Sequence, residues 1–325
     1  MTVKEPVLRA ATLDDAALAA DLFTAAYPRF AEDPVVLRYR WEGLRRGWSA
    51  GRYIAELDGR PIAFLTWLHG PPEQDPERHC QVEVALDRAH FDVEVLTFLW
   101  RWVAGEAEAT GSLKLEGYAG EDEPQVIEVI ERAGFERDRL EKVWELDLVQ
   151  EGSRLTREAA EATSRMAAEG ITLTTLDGWT DPEALVKLHT LDGRTRKDIP
   201  STFPILPETF EDFRRRTAAP DRPHDRWWIA LDGDRPVAMS YLRFPPERGV
   251  VWTGYTCSDP EYRGRGIARA VKLQSLGQAV ERGLPVVYTD NDSENAPMLH
   301  INETLGYRPC PGFVSLLKRV SNSRA

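Results

Sequence analysis

The sequence predicts an α/β protein with a mixed (α+β) sheet, laid down twice in tandem. Three observations carry that reading. A β-hairpin pattern from Tyr53 to Trp67, centred on Asp58-Gly59, recurs from Trp227 to Tyr241 around Asp232-Gly233, with Pro61 and Pro236 in register at an offset of about 175 residues. A helix end, Ile130-Glu-Arg-Ala-Gly134-Phe135, recurs as Asn302-Glu-Thr-Leu-Gly306-Tyr307 at an offset of about 172. Between these landmarks, strand-like runs alternate with helical ones. Solenoid repeats have periods of about 20–50 residues, so a period this long encloses one whole fold per copy. The boundaries expected are a first domain at 1–150, a linker helix at 151–169 and a second domain at 170–325.

In order along the chain, Val7 to Ala10 reads as a short strand. Thr12-Leu-Asp-Asp15 follows as a capping box ahead of an alanine-rich helix. Residues 35–48, with Trp41, Leu44 and Trp48, read as a second amphipathic helix. The hairpin at 53–67 has β-branched and aromatic runs flanking Asp-Gly, the strongest short-range hairpin signal. After a proline-rich loop (Pro71, Pro72, Pro76), Cys80 to Glu94 reads as strand then helix. Ser153 to Glu169 is rich in alanine and alternating charge, and places Leu155, Ala159, Ala162 and Met166 on one helical face. Thr180-Asp-Pro-Glu183 opens the first helix of the second copy.

The stretch from Thr253 to Lys272 is the most informative. It reads as a strand, a turn marked by Pro260, and the loop Arg263-Gly264-Arg265-Gly266 opening a helix. Glycines permit tight turning and close approach of the backbone to a ligand. The first N–H groups of the helix lack partners, and its dipole turns a positive end towards the loop. Such a loop cradles phosphate, with Arg263, Arg265 and Arg269 adding charge. It is not a Walker loop, because Ile267 and Ala268 follow Gly266 where Lys-Ser/Thr is required. Nor is it a dinucleotide fingerprint, because Arg269 stands where a third small residue belongs.

Arg-x-x-Gly-x-Ala at 263–268 resembles motif A of the GCN5-related N-acetyltransferases (GNAT). The order downstream is also similar: helix, Gly283 and Pro285, the strand Val286–Thr289, an Asn295-initiated helix, then Gly306-Tyr307. The likeness extends over nearly the whole chain as a double copy, of the tandem type that includes mycothiol synthase. It implies two acyl-CoA N-acyltransferase folds and acetyl-CoA as cosubstrate. The pyrophosphate would be held by Arg263, Gly264, Arg265, Gly266, Ile267, Ala268 and Arg269, and the pantetheine by backbone groups of Thr256, Cys257 and Ser258. Asn295 is expected to join them at the cofactor.

For the chemistry, the resemblance points to Asp290, five residues before Asn295, as the general base; the same residue also reads as a cap on the strand end. The position of the family's usual acidic tyrosine is Asn302, which can hydrogen-bond a thiolate but cannot protonate it. That leaves Tyr255, Tyr288, Tyr307 or water as the proton source. Cys257 has no neighbouring histidine and reads as a packed strand thiol. Asp192 and Asp198, in the segment that shapes the acceptor pocket in this fold, are candidates to meet a cationic amine. In the first copy, the segment at the motif A position, Cys80 to Glu94, contains no glycine, and Asp87 and Asp92 would repel a pyrophosphate, so one cofactor site per chain is expected.

Composition narrows the class. The 325 residues carry a formal charge of −12, which disfavours a nucleic-acid partner and is compatible with a small cationic amine. No apolar run approaches about 18 residues, and Met1 to Pro6 contains no apolar signal region, so neither a membrane partner nor export is expected. Cys80, Cys257 and Cys310 have no metal-ligand spacing and fit a reducing, cytoplasmic compartment. The primary expectation is a monomeric or homodimeric N-acetyltransferase acting on a small-molecule amine. The alternative is an acyl-CoA-binding or sensing protein with weak turnover, motivated by Asn302.

Overall fold

A computed structural model describes residues 5–320. The first half lays down β1 (Val7–Ala10), α1 (Ala16–Ala26), α2 (Pro34–Glu42), the hairpin β2 (Ser49–Leu57) and β3 (Arg60–His69), and β4 (His79–Leu86). It continues through α3 (Val93–Ala109), β5 (Lys114–Gly120), α4 (Pro124–Arg132) and β6 (Glu136–Asp147). Helix α5 (Leu148–Ala168) leads into β7 (Ile171–Thr175), α6 (Ala184–Thr195), α7 (Phe210–Thr217), and the hairpin β8 (Trp227–Asp232) and β9 (Arg235–Arg243). The chain closes with β10 (Trp252–Ser258), α8 (Ile267–Glu281), β11 (Val286–Asp292), α9 (Ala296–Thr304) and β12 (Arg308–Arg319).

Local chemistry accounts for most of these boundaries. Before α1, the Asp15 carboxylate accepts the Thr12 N–H at 2.8 Å. Asp33 caps α2 through the amides of Val35 and Val36, with Pro34 at the first helical position. That helix is shorter than the 35–48 span expected. It stops at Gly43, and Gly47 takes a left-handed φ of +79°, so Trp48 lies in the loop beyond. The two hairpin turns also differ by one residue. Asp58 and Gly59 both have positive φ, as a type I′ turn requires. In the second copy Asp232 is still strand, paired with Arg235, and the turn is Gly233-Asp234 with positive φ at the glycine.

The two copies share one sheet, ordered β1-β2-β3-β4-β5-β12-β6-β11-β10-β9-β8-β7. The last strand of each half is exchanged. β6, from the first half, pairs antiparallel with β11 (Asp147 opposite Val286 through to Glu141 opposite Asp292), and β12 pairs antiparallel with β5 (Phe313 opposite Gly120 through to Arg319 opposite Lys114). β6 and β12 also pair with each other at the centre. Each half thus supplies the strand that completes the other's sheet.

Helices cover both faces of each half. In the first half α1 and α2 bury Ala19, Leu22, Leu37 and Trp41 on one face, and α3 and α4 bury Leu99, Trp100, Val103 and Ile130 on the other. In the second half α6 and Phe213 of α7 cover one face, and α8 and α9 cover the other. α5 lies on α8 through its buried face of Leu155, Ala159, Ala162 and Met166. Ties beyond the sheet include the Asp33 carboxylate, which accepts the amides of Glu247 and Arg248 at 2.7 and 3.0 Å. Phe30 also packs among Trp252, Tyr288 and Phe313.

Candidate active site

The strand-to-loop-to-helix stretch forms one wall of a cleft of about 1080 Å³ in the second half. Its origin is a failure of pairing. β10 and β11 run parallel but meet at a single register pair, Trp252 opposite Tyr288, and then part. β10 stays bonded to β9 on its other side as far as Ser258 opposite Ala238. The backbone of residues 254–258 therefore presents groups to the cleft that have no strand partner on that side. A bulge at Gly254 turns this backbone further. A Cβ there would lie 2.1 Å from the Tyr241 ring, so only glycine fits.

Beyond Ser258, Asp259 closes a tight turn by accepting the Glu261 N–H at 3.0 Å, and the glycine loop follows. Gly264 and Gly266 have φ of +77° and +74°, a region costly for residues with a Cβ. No atom stands within 4 Å of where a Cβ on Gly264 would lie. Gly266 caps α8 without any side-chain hydrogen bond, so the amides at the helix start are left for a ligand. These features fit an anion such as a pyrophosphate.

The residues expected at the cofactor divide into two sets. Thr256, Cys257, Ser258, Arg263, Gly264, Gly266, Ile267, Ala268, Arg269 and Asn295 line the cleft. Arg265 does not: it turns outwards to Glu169 and the ring of Tyr262. Arg263 and Arg269 are already paired with Asp198 and Glu158, so the charge around the loop is largely neutralised within the protein. The loop's attraction for an anion therefore rests more on amides than on arginines. An arginine outside the motif, Arg165 of α5, reaches to 3.9 Å from the Cβ position of Gly266 and has no carboxylate partner among the described residues. Motif matching misses it because it belongs to the helix between the halves.

Cys257 is buried, and burial pushes its thiol up to about 12, which suits a packed thiol and not a nucleophile. Tyr255 lines the cleft and donates its hydroxyl to Thr195 Oγ1 at 3.1 Å. Burial raises its pKa well above the ordinary tyrosine value. Asp290 is also in the cleft wall, with its residue surface open to the cleft. The enclosing walls raise its pKa, opposed by Arg243 and Lys272.

Asn302 is not a cleft residue. It is fully buried, accepting a hydrogen bond from Lys272 Nζ at 2.7 Å and donating to Asn291 Oδ1 at 2.6 Å. Lys272 is itself fully buried, over the Tyr307 ring at 4.8 Å, and burial pushes its pKa down to about 7. The amide at position 302 thus serves a buried amine, since a lysine without an acceptor in that position would be strongly destabilising. Asp192 is likewise occupied, buried between Arg196 at 2.7 Å and Arg216 at 2.9 Å, and Asp198 lines the cleft but is itself paired with Arg263.

One cleft carboxylate comes from the other half. Glu141 of β6 lies directly across from Asp292 and diagonally from Asp290, and lines the same cleft. Burial pushes it up to about 7, helped by the negative charges of Asp290, Glu116 and Asp292 and opposed by Arg139. Nothing in the spacing of the sequence marks Glu141, because the strand exchange that delivers it is a tertiary event. Among the described residues no group of His, Cys, Asp and Glu is arranged to hold a metal ion.

Parted parallel strands thus run into an uncapped glycine-lined helix start, with carboxylates on the opposite wall of the same cleft. Residues 194–307 match the model described as "Acetyltransferase (GNAT) family". The mycothiol acetyltransferase of Thermobifida fusca is 24% identical over 319 residues, covering 93% of this chain and 94% of the relative. That of Thermomonospora curvata is 29% identical over 140 residues, 43% of this chain and less than half of the relative's length (44%). Among solved structures, a tandem GNAT protein from the clavulanic acid biosynthesis pathway aligns with TM-score 0.75 at 16% identity, covering 98% of this chain and all of that one. A GCN5-related N-acetyltransferase from Sphaerobacter thermophilus aligns with TM-score 0.68 at 21% identity, over 98% and 97% of the two chains. The fold is the tandem GNAT fold expected from the repeat.

Proposed function

We propose that the chain transfers an acetyl group from acetyl-CoA directly to a primary amine of a small molecule, using only the second-half cleft. The observation that carries this reading is the continuity of the cleft. The open edge of β10, the bare start of α8 and two carboxylates of raised pKa all face one space. The amides at Gly266 to Arg269, with Arg165, would hold the pyrophosphate. The free backbone groups of Thr256 to Ser258 would hold the pantetheine and orient the thioester.

Asp290 and Glu141 act as a coupled acidic pair that takes the ammonium proton, directly or through water. A base titrating near neutrality is well matched to this step at physiological pH. The neutral amine then forms the C–N bond to the acetyl carbon, the C–S bond breaks as the tetrahedral adduct collapses, and the extra proton on the nitrogen passes through cleft water to the leaving thiolate. Tyr255 stays protonated throughout and serves as a hydrogen-bond donor. Asn302 stands behind the cleft wall, so its identity no longer argues for a binding-only protein.

The name shared by the two relatives makes the amine corresponding to mycothiol the first acceptor to try, within a wider panel of small amines. The test is release of free coenzyme A thiol from acetyl-CoA across that panel. Amine-dependent release supports transfer, whereas tight coenzyme A binding with no release above background for any amine would favour the binding-only alternative.

A further inference from the structure

The first half holds a second cavity of about 380 Å³, between the α1–α2 layer and the sheet face of β2 to β5. This is within the range of small-molecule pockets. Its floor is set by strand register: Arg52 is paired with Thr66, and Thr66 with Glu83, so the three stand in one row across β2, β3 and β4 on the same face. Two strand spacings of about 4.8 Å separate the backbones of the outer pair. Trp41, Phe64 and Leu37 supply apolar wall, and Tyr118 closes the side.

The charges on that floor are unanswered within the protein. The Arg52 guanidinium lies 4.9 Å from the Trp41 ring centroid and makes no hydrogen bond or ion pair among the described residues. The Glu83 carboxylate accepts no hydrogen bond there either. The remaining charged pair of the cavity, Glu32 and Arg40, is satisfied with itself. Burial pushes Glu83 up to about 7, with Glu32 adding to the shift and Arg40 opposing it, and holds Arg52 below its ordinary value. Native proteins seldom leave partly buried charges of both signs unpaired, because desolvation is costly without compensation.

We propose that this cavity is a second ligand site, taking a small amino acid with an apolar side chain, its carboxylate against Arg52, its ammonium against Glu83 and its side chain against Trp41 and Phe64. The site is independent of acetyl transfer. It lies in the half whose loop cannot hold a cofactor, so its ligand is bound and not turned over.

Calorimetry on the full chain with L-leucine and L-phenylalanine tests the proposal, with L-leucinamide and N-acetyl-L-leucine as probes that each lack one charge. The expected result is one equivalent of leucine per chain, bound at least about 10-fold more tightly than either probe. Arg52→Gln should abolish the preference for leucine over leucinamide, and Glu83→Gln the preference over N-acetylleucine, with circular dichroism confirming that both variants are folded. Absence of heat from both amino acids at about 10 mM would overturn the proposal. So would leucine binding that both variants leave unchanged, since that would assign it to the second-half cleft. Because the probes are applied to the unaltered protein as well, a variant that failed to fold would leave the charge dependence measurable.

Discussion

The same connection, strand to turn to helix, is built twice in this chain, and the two versions differ in how much backbone they leave free at the helix start. Both begin alike: Asp87 closes a turn on the Ala89 amide at 2.9 Å, as Asp259 does on the Glu261 amide at 3.0 Å. They then diverge. In the second half two left-handed glycines lead into α8 and leave its first amides free. In the first half the segment is two residues shorter, and Asp92 caps α3 by accepting the amides of Glu94 and Val95 at 2.9 and 3.0 Å. A carboxylate already occupies the place an incoming phosphate would need. The groove between strands is altered too: Tyr27 directs its hydroxyl to the Val84 carbonyl of β4 at 3.5 Å, and Arg88 ties the loop to Ala26 and Glu123. An aspartate cap such as Asp92 stabilises a helix over a glycine cap such as Gly266 by only about a few tenths of a kcal/mol, so leaving the amides of α8 free costs little stability.

That contrast can be broken most severely by separating the halves. Residues 151–325 alone would lack β6, which flanks both β11 and β12, and would leave β12 without β5 as well. We expect this fragment to be aggregated or unfolded and to have no measurable turnover. A monomeric, folded and active fragment, by circular dichroism and assay, would show that the exchange is dispensable. Next in size is Gly266→Glu, which puts a carboxylate where the first half has one. Coenzyme A affinity should fall by at least about 100-fold with the circular dichroism spectrum retained. The unaltered chain should bind one equivalent, and two equivalents by calorimetry would contradict the reading of Asp92.

Removing the exchanged carboxylate sharpens the comparison further. Glu141→Gln should lower turnover by about 10²–10⁴-fold if it carries the base step, with coenzyme A affinity nearly unchanged. The sign of the pH dependence follows from its raised pKa. The protonated, inactive form dominates below about 7, so kcat/KM should rise with pH through that region and then level off. In Glu141→Gln this limb should flatten or move, and Asp290→Asn should move it too because the two are coupled. A limb unchanged in both variants would assign the titration to another group, with Lys272 the next to test. The smallest effect belongs to Arg165→Ala, which should weaken coenzyme A by about 3–10-fold, with greater loss at low salt. Equal affinity of wild type and variant at low salt would remove Arg165 from the phosphate site.

How far the sequence was legible depended on whether a feature was local. The hairpins, the glycine loop and the Asn295-capped helix are each written in a few neighbouring residues, and the structure has them where they were expected or one residue away. Lys272 was not legible, because α8 is packed between the sheet and α5 and is buried on nearly all sides, so no polar face marks the residue as unusual. The role of Asn302 is hidden for the same reason: its partner lies thirty positions earlier in sequence and only the fold joins them. Glu141 depends on a pairing between strands from different copies. A repeat announces that two similar units exist, but the hydrogen-bonding edges of two similar last strands are nearly equivalent, and which sheet each one joins cannot be read from its own residues.

The exchanged strands also set a schedule for synthesis. As the nascent chain leaves the ribosome, β5 is complete at Gly120, yet the strand that covers its open edge begins only at Arg308. At about 5–20 residues per second, that edge stays uncovered for on the order of 10–40 seconds. β6 waits similarly for β11. Closure of such distant pairs is slow by its topology, so the first half, though made first, cannot finish folding before the second. During that interval the unpaired edge of β5 is the part of the molecule most in need of a chaperone, and the part most open to capture by a neighbouring copy's β12.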